Sequence, residues 1–115
     1  CIRDRGNSGG IENTGYSGTS SNLTTATTTS SYTTGFGIGS ANSATQLKGG
    51  SIILALIDSA SNLWSASGVM GRGDADGTAV TGGYKALSSA LTQIRITTVN
   101  GTDTFDAGTI NIIYE

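Results

Sequence analysis

Two stretches near the end of the chain alternate apolar and polar residues, and this period of two constrains the fold more than any other feature. In residues 93–99, Ile94 and Ile96 fall on one side, and Gln93, Arg95 and Thr97 on the other. In residues 109–114, Ile110, Ile112 and Tyr114 share one side, and Thr109 and Asn111 the other. Successive side chains of a strand point to opposite faces, so such alternation marks a half-buried strand. Asn100-Gly101 follows the first stretch, and both residues tolerate positive φ. Asp106-Ala107-Gly108 precedes the second. Together they predict a closing pair of strands. Burying each isoleucine contributes about 1.5–3 kcal/mol, enough for the pair to nucleate a core.

Composition points the same way. The 115 residues include 18 Gly, 18 Thr, 15 Ser and no Pro. Thr favours strands, Gly favours turns, and the strong helix formers Glu and Lys are scarce. A chain of this length forms one domain, spanning residues 1–115. Only 36% of residues are apolar, so the core is expected to be modest. Charged residues make up 12%, against about 25% in a typical domain. The apolar strands and the small net charge of −2 weigh against disorder.

Residues 1–30 read as an extended, loop-rich segment of loops and short edge strands. Its few large apolar residues, Ile2, Ile11, Tyr16 and Leu23, cannot bury a face unaided. Residues 24–31 form an uncharged Thr/Ser tract of high strand preference, a pairing hazard if left bare. Residues 32–38 are a candidate strand. There Gly35, Gly37 and Gly39 alternate with apolar residues, predicting close approach to another backbone. Residues 42–44 read as a loop. The run 51–57 is apolar on both sides, which predicts a strand buried on both faces, in a sandwich or in a subunit interface. Residues 58–62 are a turn and 63–70 the return strand, together a hairpin. Residues 71–77 are a loop. Residues 78–86 are a further strand, interrupted by a bulge at Gly82-Gly83. Residues 87–91 are the one plausible helical turn. The total is six to eight strands in an all-β, antiparallel β-sandwich of jelly-roll type.

The chain has no histidine, which removes His-based acid–base chemistry, Ser–His or Cys–His nucleophiles and His metal sites. Its one cysteine, Cys1, can make no intrachain disulfide. A first residue other than Met suggests a processed product or a fragment, and a Cys in that place also suits a lipidated bacterial lipoprotein. Asp74 and Asp76 flank Ala75 ahead of Gly77, the start of a calcium-loop pattern. The twelve-residue pattern is incomplete, and a solvated turn accounts better for it. Arg72-Gly73-Asp74 matches an integrin-type tripeptide, a match that short glycine-rich turns often make by chance. Asp103 and Asp106 are a carboxylate pair in the last loop, where capping a turn explains them better than glycoside hydrolysis. Trp64 and Tyr84 are candidates for a sugar-stacking platform, although strand positions suit a core or interface role. The ligand-binding candidates are therefore Trp64, Arg72, Asp74 and Tyr84. No catalytic residue and no cofactor are expected.

Six scattered basic residues make no stripe for nucleic acid. No apolar run approaches the about 20 residues of a spanning helix. Asn22-Leu23-Thr24 and Asn100-Gly101-Thr102 match the glycosylation acceptor pattern.

The closing TQIRITTVNGTDTFDAGTINIIYE (residues 92–115) resembles the C-terminal end of β-sandwich domains in bacteriophage tail proteins. GGSIILALIDSASNLWSASGVMGR (49–72) and GGYKALSSALTQIRI (82–96) fit the same pattern, which covers residues 36–115. The resemblance implies a non-enzymatic virion module at a tail tip or fibre, assembled as a homotrimer with other virion proteins. Its expected task is adhesion to a host-surface glycan or protein, or fibre assembly. The alternative is an extracellular lipoprotein or filament subunit that assembles through its strands. Self-association is also expected from the residues themselves, since a second copy would cover the bare 24–31 tract and the second face of 51–57; an upstream part of the same polypeptide is the rival source of that cover.

Overall fold

The structure, a computed structural model, describes residues 2–5, 10–39, 46–73 and 77–115. Cys1, the loop at 42–44 and the carboxylates Asp74 and Asp76 lie outside the described residues. The chain is all-β. Its seven strands are β1 (Ile2–Arg5), β2 (Ser17–Leu23), β3 (Thr28–Tyr32), β4 (Lys48–Asp58), β5 (Leu63–Arg72), β6 (Thr78–Ala86) and β7 (Gln93–Ile96). Five form an antiparallel sheet in the order β3-β2-β6-β5-β4, and β1 and β7 pair as a second, two-stranded sheet. The two sheets make a β-sandwich.

The β4–β5 hairpin forms where the sequence predicts it. Its turn is closed by Asp58, whose Oδ1 accepts from the Ala60 N–H at 3.0 Å, and by Asn62 in the left-handed region at φ 50°. The register of β4, β5, β6 and β2 then fixes which residues share a face. Leu54, Ala66, Gly83 and Gly18 stand in one row, and Ile52, Gly68, Thr81 and Ser20 in the next. This inner face packs on the core of Ile2, Tyr16, Phe36 and Ala66, with Ile38, Ile52, Leu54 and Ile96 around it. Tyr16 and Phe36 meet edge to face at 5.1 Å.

Hydroxyls complete what so small an apolar core cannot. The segment 36–39 lies over the inner face, held at the backbone by side chains from the sheet. Phe36 exchanges two backbone hydrogen bonds with Ile2, at 2.8 and 2.9 Å. The Gly39 N–H donates to Ser20 Oγ at 2.6 Å, Tyr32 Oη donates to the Gly39 carbonyl at 2.6 Å, and Lys48 Nζ donates to the Ile38 carbonyl at 3.1 Å. Thr81 Oγ1 donates to the Gly37 carbonyl. Gly37 is packed so closely under Tyr32 that a Cβ there would fall 2.1 Å from the ring.

Several expectations are corrected. The closing hairpin does not form. β7 stops at Ile96 and pairs with β1, while 109–114 has no strand partner and lies wholly exposed. The chain turns away at once, because Thr98 Oγ1 donates to the Asp103 carbonyl and Asn100 Oδ1 accepts the N–H groups of Thr102 and Asp103. Within the chain the run 51–57 is not buried on both faces of a sandwich: Ile53 and Ile57 are 64% and 60% exposed, since no second layer among the described residues covers that side. Strand β2, within the first 30 residues, is not an edge, because β3 flanks it on one side and β6 on the other. The 24–31 tract supplies the edge strand β3, which ends at Tyr32, so 32–38 is not a strand and Phe36 makes only an isolated bridge to Ile2. Gly82 and Gly83 do not interrupt β6. Both stay in register, and Gly83 lets β2 approach so near that a Cβ on it would sit 2.6 Å from the Ser17 carbonyl oxygen. Residues 87–91 hold no helix, and the Leu87 N–H donates to the Asn62 carbonyl instead.

Candidate binding face

The outer face of the five-stranded sheet follows from the same register. One row runs Ser51, Val69, Val80, Ser21 and Thr29. The next runs Ile53, Ser67, Gly82, Thr19 and Ser31. A third holds Ala55, Ser65, Tyr84 and Ser17. None of these side chains is charged. The face has two shallow open hollows. One is lined by Ser51, Ile53, Ser67, Val69 and Val80, and is mainly apolar. The other is also mainly apolar, lined by Tyr84, Tyr32 and the glycines Gly18, Gly82 and Gly83, with the hydroxyl residues Ser17, Thr19, Ser31 and Thr33 beside them. Tyr84 is 57% exposed, and its register partners are only Ser17 and Ser65, which leaves its ring accessible.

The three described ligand-binding candidates, Trp64, Arg72 and Tyr84, do not come together. Trp64 lies opposite Leu56 and Lys85 on the inner face, while Tyr84 is on the outer one, so the two rings do not form one platform. Trp64 is half-buried, and its Nε1 has no hydrogen-bond partner among the described residues. Arg72 shares the inner face with Trp64, but eight residues along a strand separate them by about 26 Å. It sits opposite Lys48 at the far end of the hairpin. Asp74 is outside the described residues. Of the three described candidates, Tyr84 lines one of these two hollows.

Three carboxylates of the described residues, Glu12, Asp58 and Asp103, serve local structure. Glu12 forms an ion pair with Lys85 and accepts from the Ser88 N–H and Oγ. Burial works against its charge, but the hydrogen bonds from Lys85 and Ser88, with the Lys85 charge, hold the carboxyl below its ordinary value. Asp58 is likewise lowered, by the hydroxyl of Ser61 and then the Ala60 N–H. Asp103 accepts from Asn100 Nδ2 at 2.8 Å inside its turn. Among the described residues no cluster of His, Cys, Asp or Glu could hold a metal ion, and no helix is long and apolar enough to cross a membrane.

Sequence reasoning singled out Tyr84 but missed the hydroxyls beside it. The alternation of Ser17, Thr19 and Ser21 was a usable signal, since period two puts all three on one side. Which strand lies beside them is set only by the β2–β6 pairing. No family model, curated protein or solved structure matches this chain.

Proposed function

We propose that this domain is a non-enzymatic structural module of a bacteriophage virion, at the tail tip or fibre, that binds the host surface through its open sheet face. The observation that carries the binding part is the uncharged hollow around Tyr84. An exposed aromatic ring ringed by hydroxyls and backbone, with no charge, suits a neutral glycan: the ring offers an apolar face and the hydroxyls donate and accept. The virion setting and a homotrimeric assembly rest on the resemblance of residues 36–115 to phage tail β-sandwich domains. A filament or cell-surface lipoprotein subunit is the second reading, favoured by the bare strand edges at β3 and β4.

A glycan array probed with the full chain and with Tyr84→Ala tests the binding part. Selective signal lost in the variant supports it, and an array that stays blank at high protein concentration sinks it. The virion part is tested by mass spectrometry of gradient-purified virus particles. The tryptic peptide 49–72, bounded by Lys48 and Arg72, should be enriched there and depleted from a detergent-extracted bacterial lipoprotein fraction.

A further inference from the structure

Residues 109–114 have the pattern of a strand and no strand to pair with. Ile112 is 66% exposed and Tyr114 90%, and no backbone partner from any of the seven strands reaches them. We propose that this segment acts as an added strand: residues 109–114 of one copy pair with the outer edge of β4 in a second copy. The proposal rests on the assembly half of the reading above, that copies of this chain meet.

Three observations select β4 as the acceptor. First, length: β4 spans 11 residues and lies at the sheet edge, whereas the β7 edge offers four. Each added residue needs an unpaired backbone partner, and a six-residue segment exceeds what β7 provides. Second, chemistry: β4 presents Ile53 and Ile57 on one side and Ile52, Leu54 and Leu56 on the other, all at least partly open. The incoming segment presents Ile110, Ile112 and Tyr114 on one side and Ile113 on the other. Cross-strand apolar pairs therefore form on both faces, which the Thr/Ser edge of β3 cannot supply. Third, charge: residues 49–57 and 109–114 carry none, so pairing them sets no like charges opposite one another. An edge strand of this length with no proline, and with no charge between residues 49 and 57, is open to such addition.

The test uses the full chain with two single variants. Ile112→Pro removes a backbone donor from the exposed segment without touching the core. Ile53→Lys places a charge on the exposed acceptor edge. Sedimentation from 5 to 200 μM should show concentration-dependent association of the unaltered chain, weakened at least tenfold in either variant, with circular dichroism unchanged. Mixing the two variants should restore a heterodimer, because one keeps its acceptor edge and the other its donor strand. A chain monomeric at 200 μM overturns the proposal, as does association that survives both changes. Slow hydrogen exchange of residues 109–114 at monomer concentrations also overturns it, since the segment would then be paired within its own chain. A chain that associates as described but is missing from virus particles sinks the virion reading and leaves strand addition standing.

Discussion

Lys85 Nζ stands 2.7 Å from Glu12 Oε2 and 5.5 Å from the centroid of the Tyr16 ring, so one buried ammonium ties an irregular segment to β6 and caps the aromatic core. Lys85 is nearly inaccessible, and Glu12 is largely so. The pair is desolvated enough that losing one partner strands the other. Lys85→Met should lower stability by about 1–3 kcal/mol, measured by urea unfolding at pH 7.

The same pair makes stability depend on pH. The Glu12 carboxyl is held below its ordinary value of 4.5, so its contribution is fully present above that value and is lost as pH falls through the folded-state value. Melting temperatures measured from pH 7 to pH 3 should therefore fall more steeply below about pH 4.5 in the unaltered chain than in Glu12→Gln. Parallel curves for the two would show that the ion pair contributes nothing.

Phe36 is the largest fully buried side chain, and it joins the edge-to-face contact with Tyr16 to the bridge with Ile2. Phe36→Ala should cost about 3–5 kcal/mol, a large share of the stability of so small a core. Chemical denaturation is the measurement. A loss under 1 kcal/mol would show that 36–39 is held by its backbone hydrogen bonds alone.

Gly83 and Gly49 are both strand glycines, and they differ in how closely a neighbouring backbone packs on them. A methyl on Gly83 would lie 2.6 Å from the Ser17 carbonyl oxygen and 2.8 Å from Gly18 Cα, both backbone atoms of β2. Gly83→Ala should therefore destabilise by about 1–3 kcal/mol, because β2 must shift. Gly49 meets nothing within 4 Å, and Gly49→Ala should be neutral or slightly stabilising in the same melting assay.

Ile112→Asp should leave the monomer's folding intact. The alternation of 109–114 predicts a buried strand in which an added carboxylate would abolish folding. With Ile112 exposed and unpartnered, the substitution should shift the midpoint of unfolding by less than about 0.5 kcal/mol at low concentration. A collapse of folding at micromolar concentration or below would show that the segment packs within its own chain.

Local pattern alone determined a good deal of this protein. The hairpin of β4 and β5 was legible because an apolar run, an Asp/Ser/Asn turn and a return strand follow one another within 25 residues, and turn chemistry fixes register locally. The all-β class was legible from Thr, Gly and Ser content. The absence of histidine excluded whole classes of catalysis before any fold was known.

Tertiary structure decided what lies beside what. That β2 is central and not an edge depends on β6, some 60 residues away, and no local pattern encodes a pairing at that distance. The alternation of 93–96 and 109–114 is the same in the sequence, yet one found β1 and the other found nothing, because a strand's period states only that it has two faces. Trp64 and Tyr84 fell on opposite faces for the same reason: their parity matters only once the registers of β5 and β6 are fixed. The candidate face was hidden in the sequence because it is made largely of Ser, Thr and Gly. Such residues read as loop or filler until pairing gathers Ser17, Thr19 and Ser31 around Tyr84.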